Sequence, residues 1–174
     1  MEEYRDVYDR YGQKTGKIIG RHDPLLPGEY CRAVCVCLFN SRGEMLLQKR
    51  SADKELWPSL WDITAAGGVL AGENGQQAAR RELREEMGLD VRLEQERPKL
   101  TTFFRDGFSD VFTVRMDVEL SELTLQKEEV ADAQWATKEE ILNRLEEGTF
   151  IPYFRSYIQV LFDLYEHNNV FELE

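Results

Sequence analysis

Hydrophobic positions along this chain recur with two periods, and the changes between them mark out its elements. Residues 30–39, YCRAVCVCLF, are a near-continuous apolar run and predict the first long core strand. A turn at Asn40 to Gly43 returns the chain into EMLLQKR, residues 44–50, as its partner. Upstream, residues 4–20 read as two short strands around a glycine-containing turn, and Pro24 and Pro27 make residues 22–28 a loop. Downstream, SADKELWPSLWD (51–62) is a loop with two tryptophans and Pro58, and ITAAGGV (63–69) is a short strand. Residues 90–106 and 108–120 read as two strands around Asp106-Gly107, a favoured hairpin dipeptide. Residues 124–130 are a polar connection, and 133–135 a brief strand.

Three segments switch to helical spacing. Ala79, Leu83 and Met87 form a core-facing seam, with Asn74 placed as N-cap and Gly88 just past the end. Thr137 and Glu140 make a capping box for a helix closed by Gly148. Residues 150–168 form an amphipathic helix rich in aromatics. Strands interleaved with helices predict an α/β fold, a mixed sheet between helical layers. No repeat, low-complexity tract or linker interrupts the 174 residues, which fit one domain.

The helix ending at Gly88 carries an unusual charge pattern. Its stretch Arg80 to Glu86, RRELREE, places Glu82, Glu85 and Glu86 within an arc of roughly 100° at the helical pitch. The arginines lie on the other side. Glu82 and Glu86 repel as an i, i+4 pair by ~0.2–0.5 kcal/mol. The C-terminal end of the helix dipole adds a further ~0.3–1 kcal/mol against anions. Three acids gathered beside the core, at the wrong dipole end, point to a bound cation. Oxygen ligands of this kind suit Mg²⁺ or Mn²⁺, which keep waters and share phosphate oxygens with a substrate.

The same residues resemble the Nudix box, G-x5-E-x7-R-E-U-x-E-E-x-G-U with U aliphatic. Gly67, Glu73, Arg81, Glu82, Leu83, Glu85, Glu86, Gly88 and Leu89 match every fixed position. The resemblance covers roughly residues 30–147, leaving residues 1–29 as an N-terminal hairpin extension and the last helix as additions. It implies the Nudix fold, an α/β/α sandwich whose loop–helix–loop holds divalent metal against a diphosphate. On that resemblance Glu82, Glu85 and Glu86 are metal ligands, the Gly67 carbonyl is a further one, and Arg81 holds the glutamates in place. Glu73 more often orients the loop. The activity implied is Mg²⁺-dependent cleavage of a phosphoanhydride bond in a small organic diphosphate, a nucleoside diphosphate derivative being the expectation. Glu85 is the favoured general base, with Glu128 and Glu129 as alternatives.

The stretch LLQKRSADKELWPSLWDITAAGGV is also similar to isopentenyl-diphosphate isomerase, a neighbour within the superfamily. The isomerase's catalytic cysteine aligns with Ala66, and its metal-binding histidines with Gly68 and, more loosely, Cys31. A methyl group moves no proton, so the resemblance gives architecture and not the isomerase reaction. An isomerase-like enzyme and a non-catalytic nucleotide-binding regulator are the alternatives to the hydrolase. Candidate substrate contacts are Lys49 and Arg50, at the end of a strand, and the aromatic residues Trp57, Trp61 and Phe104. Phe103, Phe108, Lys54 and Arg105 lie in the same segments.

Net charge narrows the partners. With 33 acids against 22 bases, the chain carries −11 and repels nucleic-acid backbones and anionic membranes. Its N-terminus lacks the apolar core of a secretory signal, and no run approaches a membrane span. The three cysteines fall within residues 31–37, too local to staple the fold. They are expected to be buried and reduced, and the compartment cytoplasmic. The N-terminal hairpin, with Tyr153, Phe154, Tyr157, Phe162 and Tyr165 of the last helix, is a candidate homodimer interface.

Overall fold

The computed structural model describes residues 3–167. Its organising element is β3 (Cys31–Phe39), which runs parallel to β8 (Gly107–Arg115) from Cys31↔Gly107 to Phe39↔Arg115. The other edge of β3 is taken by antiparallel β6 (Ala65–Gly68). Antiparallel β7 (Leu100–Phe104) continues the sheet beyond β8. β4 (Met45–Arg50) joins β3 at Phe39↔Met45 and diverges to pair with β9 (Val130–Ala136) and β5 (Trp61–Asp62). The sheet is mixed, and the second half of β3, residues 36–39, is buried on both faces, as its continuous apolar run requires.

Alternation along β3 feeds two cores. Val34, Val36 and Leu38 pack with Ala78, Ala79, Leu83 and Met87 of α1 (Gly75–Met87). Cys37 and Phe39 pack on the opposite face with Ile141 of α2 (Lys138–Glu146) and Ile158, Leu161 and Phe162 of α3 (Arg155–Glu166). The result is the expected sandwich of a mixed sheet between helices. Asn74 caps α1 through a reciprocal box with Gln77, and Gly88 ends it in the left-handed conformation at φ 74°.

The N-terminal hairpin, β1 (Tyr4–Tyr8) and β2 (Lys14–Gly20), is a separate two-stranded sheet. Tyr8 bridges to Tyr30, while the Tyr4 carbonyl accepts from Ala71 N–H at 2.8 Å. Asp6 accepts from Gly72 N–H at 2.9 Å and from Lys14 Nζ at 2.7 Å. The hairpin is thereby tied to the loop that leads into α1.

Several element boundaries differ from the sequence reading. Residues 90–99, expected to begin a strand, are irregular. Buried Leu89 and Leu93 turn that segment over α1, and Pro98 has no N–H for a ladder. β8 ends at Arg115 because its partner β3 ends at Phe39; a 3₁₀ turn (Leu120–Glu122) follows. β9 is longer than the expected three residues, since all of it lies beside β4. Trp61 and Asp62 form a short strand where a loop was expected. The last helix starts at Arg155 instead of residue 150, because Phe150 bridges to Trp61 and Pro152 follows. Residue 168, its expected end, lies outside the described residues.

Candidate active site

The acidic strip of α1 is divided by burial. Glu82 and Glu86 are 9 % and 5 % exposed, whereas Glu85 reaches solvent. Arg81 organises the strip. Its Nη1 donates to Glu82 Oε1 at 2.6 Å and to Glu85 Oε2 at 3.1 Å. Its Nε and Nη2 donate to the two oxygens of Glu73 at 2.9 and 3.0 Å, and Nη2 also reaches the Gly68 carbonyl at 2.8 Å. One guanidinium thus joins the loop to three carboxylates, which a lysine's single ammonium would not do. Glu73 also accepts from Leu70 N–H at 3.0 Å, orienting the loop. Gly67 is pressed against the strip: a Cβ built there would fall within the Glu82 carboxylate.

Glu86 depends on a residue the sequence reading did not single out. Gln48, buried on β4, donates to Glu86 Oε2 at 2.8 Å, and Ala66 N–H adds a longer bond at 3.3 Å. Burial pushes Glu86 up to about 8, with the charge of Glu82 adding to it. Burial also raises Glu82, against the opposing pull of Arg81. Burial alone would raise Glu73 too, but Arg81 and the Leu70 amide outweigh it and hold that carboxyl down.

The strip faces a polar cavity of about 80 Å³, reached by Ala66, Gly67, Arg81, Glu82, Glu85, Glu86 and Glu129. Arg21, from the hairpin, and Lys54 also line it. Glu129 is paired with Lys54, while Glu128 faces a neighbouring charged cleft of about 680 Å³ between the hairpin and the 51–60 loop. Of the two loop acids, Glu129 is therefore the one that meets the strip. Arg21 pairs with Glu3 at 2.5 Å. Its contribution was hidden in sequence because the hairpin lies outside the box resemblance.

The proposed substrate contacts separate. Arg50 is fastened from Nε and Nη2 to the Leu56 carbonyl at 3.1 and 2.9 Å and lies 3.6 Å from Asp62, so it braces the loop while lining the charged cleft. Lys49 follows Gln48 on β4 and turns to the opposite face of the sheet. Trp61 lies under the Arg144 guanidinium, 4.5 Å from its ring centroid, and packs against the core. Trp57 is half-exposed on the loop at φ 53°. Phe108 is buried between Tyr30 and Phe103, and Arg105 is exposed beside Asp106. Phe103 and Phe104 line an apolar cleft of about 610 Å³ that shares Ala66 and Gly67 with the carboxylate cavity. Of the last helix's aromatics, Phe162 is in the core and Tyr165 stacks on Phe39, while Phe154 stays exposed. All three thiols are free; Cys31 and Cys37 are buried, but Cys35 is half-buried and lines the apolar cleft.

The donor set fits a hard divalent cation. Two buried carboxylates, one exposed carboxylate and the adjoining backbone of Gly67 offer oxygen only. Among the described residues no three acidic, His or Cys side chains form a ready metal cage. An ion that keeps waters and shares phosphate oxygens does not need one.

An α/β/α sandwich carrying this loop–helix acid strip defines a class, and comparison with known proteins agrees with it. The NUDIX domain family model matches residues 29–155, so the chain belongs to the Nudix family and is a Nudix hydrolase. An uncharacterised Nudix hydrolase of Listeria monocytogenes is 48% identical over 164 residues, covering 94% of this chain and 95% of that protein. A crystal structure of a Deinococcus radiodurans protein superposes with a TM-score of 0.76 at 26% identity, covering 90% of this chain and 98% of that one. The isopentenyl-diphosphate Delta-isomerase of Nocardia farcinica is 28% identical over 166 residues, 89% of this chain and 92% of that enzyme. The match to the family model begins at residue 29, so Arg21 and the hairpin lie outside it.

Proposed function

We propose that this chain is a divalent-cation-dependent pyrophosphohydrolase that cleaves the phosphoanhydride bond of a small organic diphosphate. The observation that carries the reading is the pair of buried carboxylates, Glu82 and Glu86, facing the small polar cavity from one strip of α1. Glu82, Glu85 and Glu86, with the Gly67 carbonyl, would hold Mg²⁺ or Mn²⁺. When bound, such an ion neutralises diphosphate charge and polarises the phosphorus under attack. Arg81 fixes the glutamates, and Gln48 orients Glu86. Glu85, the exposed member of the strip, takes the proton of the attacking water; Glu129, across the cavity, is the second candidate. Lys54 and Arg21, which line the cavity together with Arg81, supply positive charge for phosphate oxygens.

The family's breadth makes a nucleoside diphosphate derivative the first substrate class to try. Ala66 brings a methyl group and a backbone N–H to the site, which favours hydrolysis over isomerisation. The test is phosphate release from a diphosphate panel with Mg²⁺ or Mn²⁺. Glu86→Gln should lower metal-dependent turnover at least a hundredfold without unfolding the protein. Turnover unchanged in that variant would sink the reading.

A further inference from the structure

The apolar cleft next to Gly67 carries information about the organic half of the substrate. At about 610 Å³ it lies within the ~300–1,000 Å³ range of small-molecule sites. Its walls include Ala33, Val34, Phe104 and Pro152, and Phe103 and Phe154 stand at 76% and 83% exposure on its rim. The polar side chains it contains already have partners. Cys35 Sγ lies 3.2 Å from Ser109 Oγ, and the Tyr153 hydroxyl donates to Asp62 at 3.0 Å. Thr102 Oγ1 donates to the Ser109 carbonyl at 3.5 Å and engages the Tyr157 hydroxyl. The backbone of Val34 is registered against Gly67 in the sheet.

A nucleobase placed here would lose water from its ring nitrogens and carbonyls and find those side chains occupied. Each group so stranded weakens binding by about tenfold or more. A hydrocarbon has nothing to strand, and it covers exposed aromatic rings favourably. The cleft also adjoins the carboxylate cavity: Ala66 and Gly67 line both. A chain leaving a diphosphate held at the glutamates has only the Ala66–Gly67 backbone to pass to reach it.

We propose that the preferred substrate is the diphosphate ester of an apolar alcohol, whose hydrocarbon tail occupies this cleft. The inference rests on the hydrolase reading above and narrows it away from nucleosides. In the reaction, water oxygen bonds to one phosphorus and the bridging P–O bond breaks. The bridging oxygen leaves with the other phosphorus, giving an alkyl monophosphate and inorganic phosphate, and the water proton passes to a carboxylate.

Two measurements on the full chain test it. The first compares kcat/KM for dimethylallyl, geranyl and farnesyl diphosphates with CDP, ADP and UDP-glucose, all with Mg²⁺. The expected result is a preference of at least tenfold for an alkyl diphosphate. In Phe104→Ser/Phe154→Ser, which alters exposed rings, KM for that substrate should rise about tenfold while kcat holds. Nucleotides turned over as well as the alkyl esters would overturn the proposal and leave the hydrolase reading standing. The second measurement, calorimetric binding of geranyl monophosphate against CMP, does not need turnover. If nothing in the panel is hydrolysed, the hydrolase reading fails, and this titration still decides: tighter geranyl monophosphate supports the cleft assignment, and equal or tighter CMP overturns it.

Discussion

Replacing Gln48 by Met isolates one hydrogen bond in the site. The two side chains are similar in length and volume, and Gln48 is 1% exposed, so packing changes little. What disappears is the 2.8 Å donation to Glu86, leaving that carboxylate the 3.3 Å bond from Ala66 N–H. A hydrogen bond to a buried charged group contributes roughly 1.5–3 kcal/mol. At about 1.4 kcal/mol per tenfold, the expected loss of metal affinity is roughly 10–150-fold. The ~10–100-fold cost of removing a residue that orients a metal ligand agrees independently. Calorimetric titration with Mn²⁺ measures the loss, and a metal-free thermal melt shows whether the fold has suffered. Manganese affinity within twofold of the parent, in a folded variant, would refute the argument that Gln48 prepares Glu86 as a ligand.

Three further outcomes follow from the geometry. Gly67→Ala forces a methyl into space held by Glu82, which Arg81 keeps from moving, so it should cost about 1–3 kcal/mol and most of the activity; denaturant unfolding and a turnover assay check both. Arg81→Lys keeps the charge but cannot span Glu73, Glu82 and the Gly68 carbonyl, and kcat should fall at least tenfold with normal circular dichroism. Asp6 gives a pH dependence: burial would raise its pKa, but Lys14 and the Gly72 amide together lower it. Its contribution is complete above the ~3.9 of an unfolded aspartate and disappears as pH falls through the lower folded value. Asp6→Asn should therefore be less stable than the parent at pH 6, with the gap closing in acid; a gap constant from pH 6 to 2.5 would exclude the ion pair as its source.

The site was legible in sequence where local spacing decides chemistry. The acid strip, its cap at Asn74 and the stop at Gly88 all lie within one helix, and helical geometry relates them without tertiary knowledge. Gln48 was not legible, because only the crossing of β4 behind α1 makes a strand glutamine the partner of a glutamate 38 residues on. The same crossing turns Lys49, the neighbour expected to meet phosphate, to the other face. Trp61 read as a stacking residue, yet Arg144 from α2 covers its ring. Residues 90–99 read as the start of the strand that follows them, but Leu89 and Leu93, four apart, were claimed by the core of α1. Each miss required knowing which segments meet, and periodicity does not encode that.

The fastening of the hairpin to Ala71 and Gly72 bears on how the protein can be trimmed. A fragment starting at residue 29, where the family match begins, would keep the whole acid strip on α1. It would strip the amides of Ala71 and Gly72 of their acceptors, the Tyr4 carbonyl and Asp6. It would also remove Arg21, part of the carboxylate cavity's wall, while the five bases and five acids lost with residues 1–28 leave the net charge unchanged. Such a minimal domain is expected to fold around its two cores while its loop into α1 loosens. The N-terminal strands thus behave as a splint for that loop, and variants cut there would lose catalysis before they lose structure.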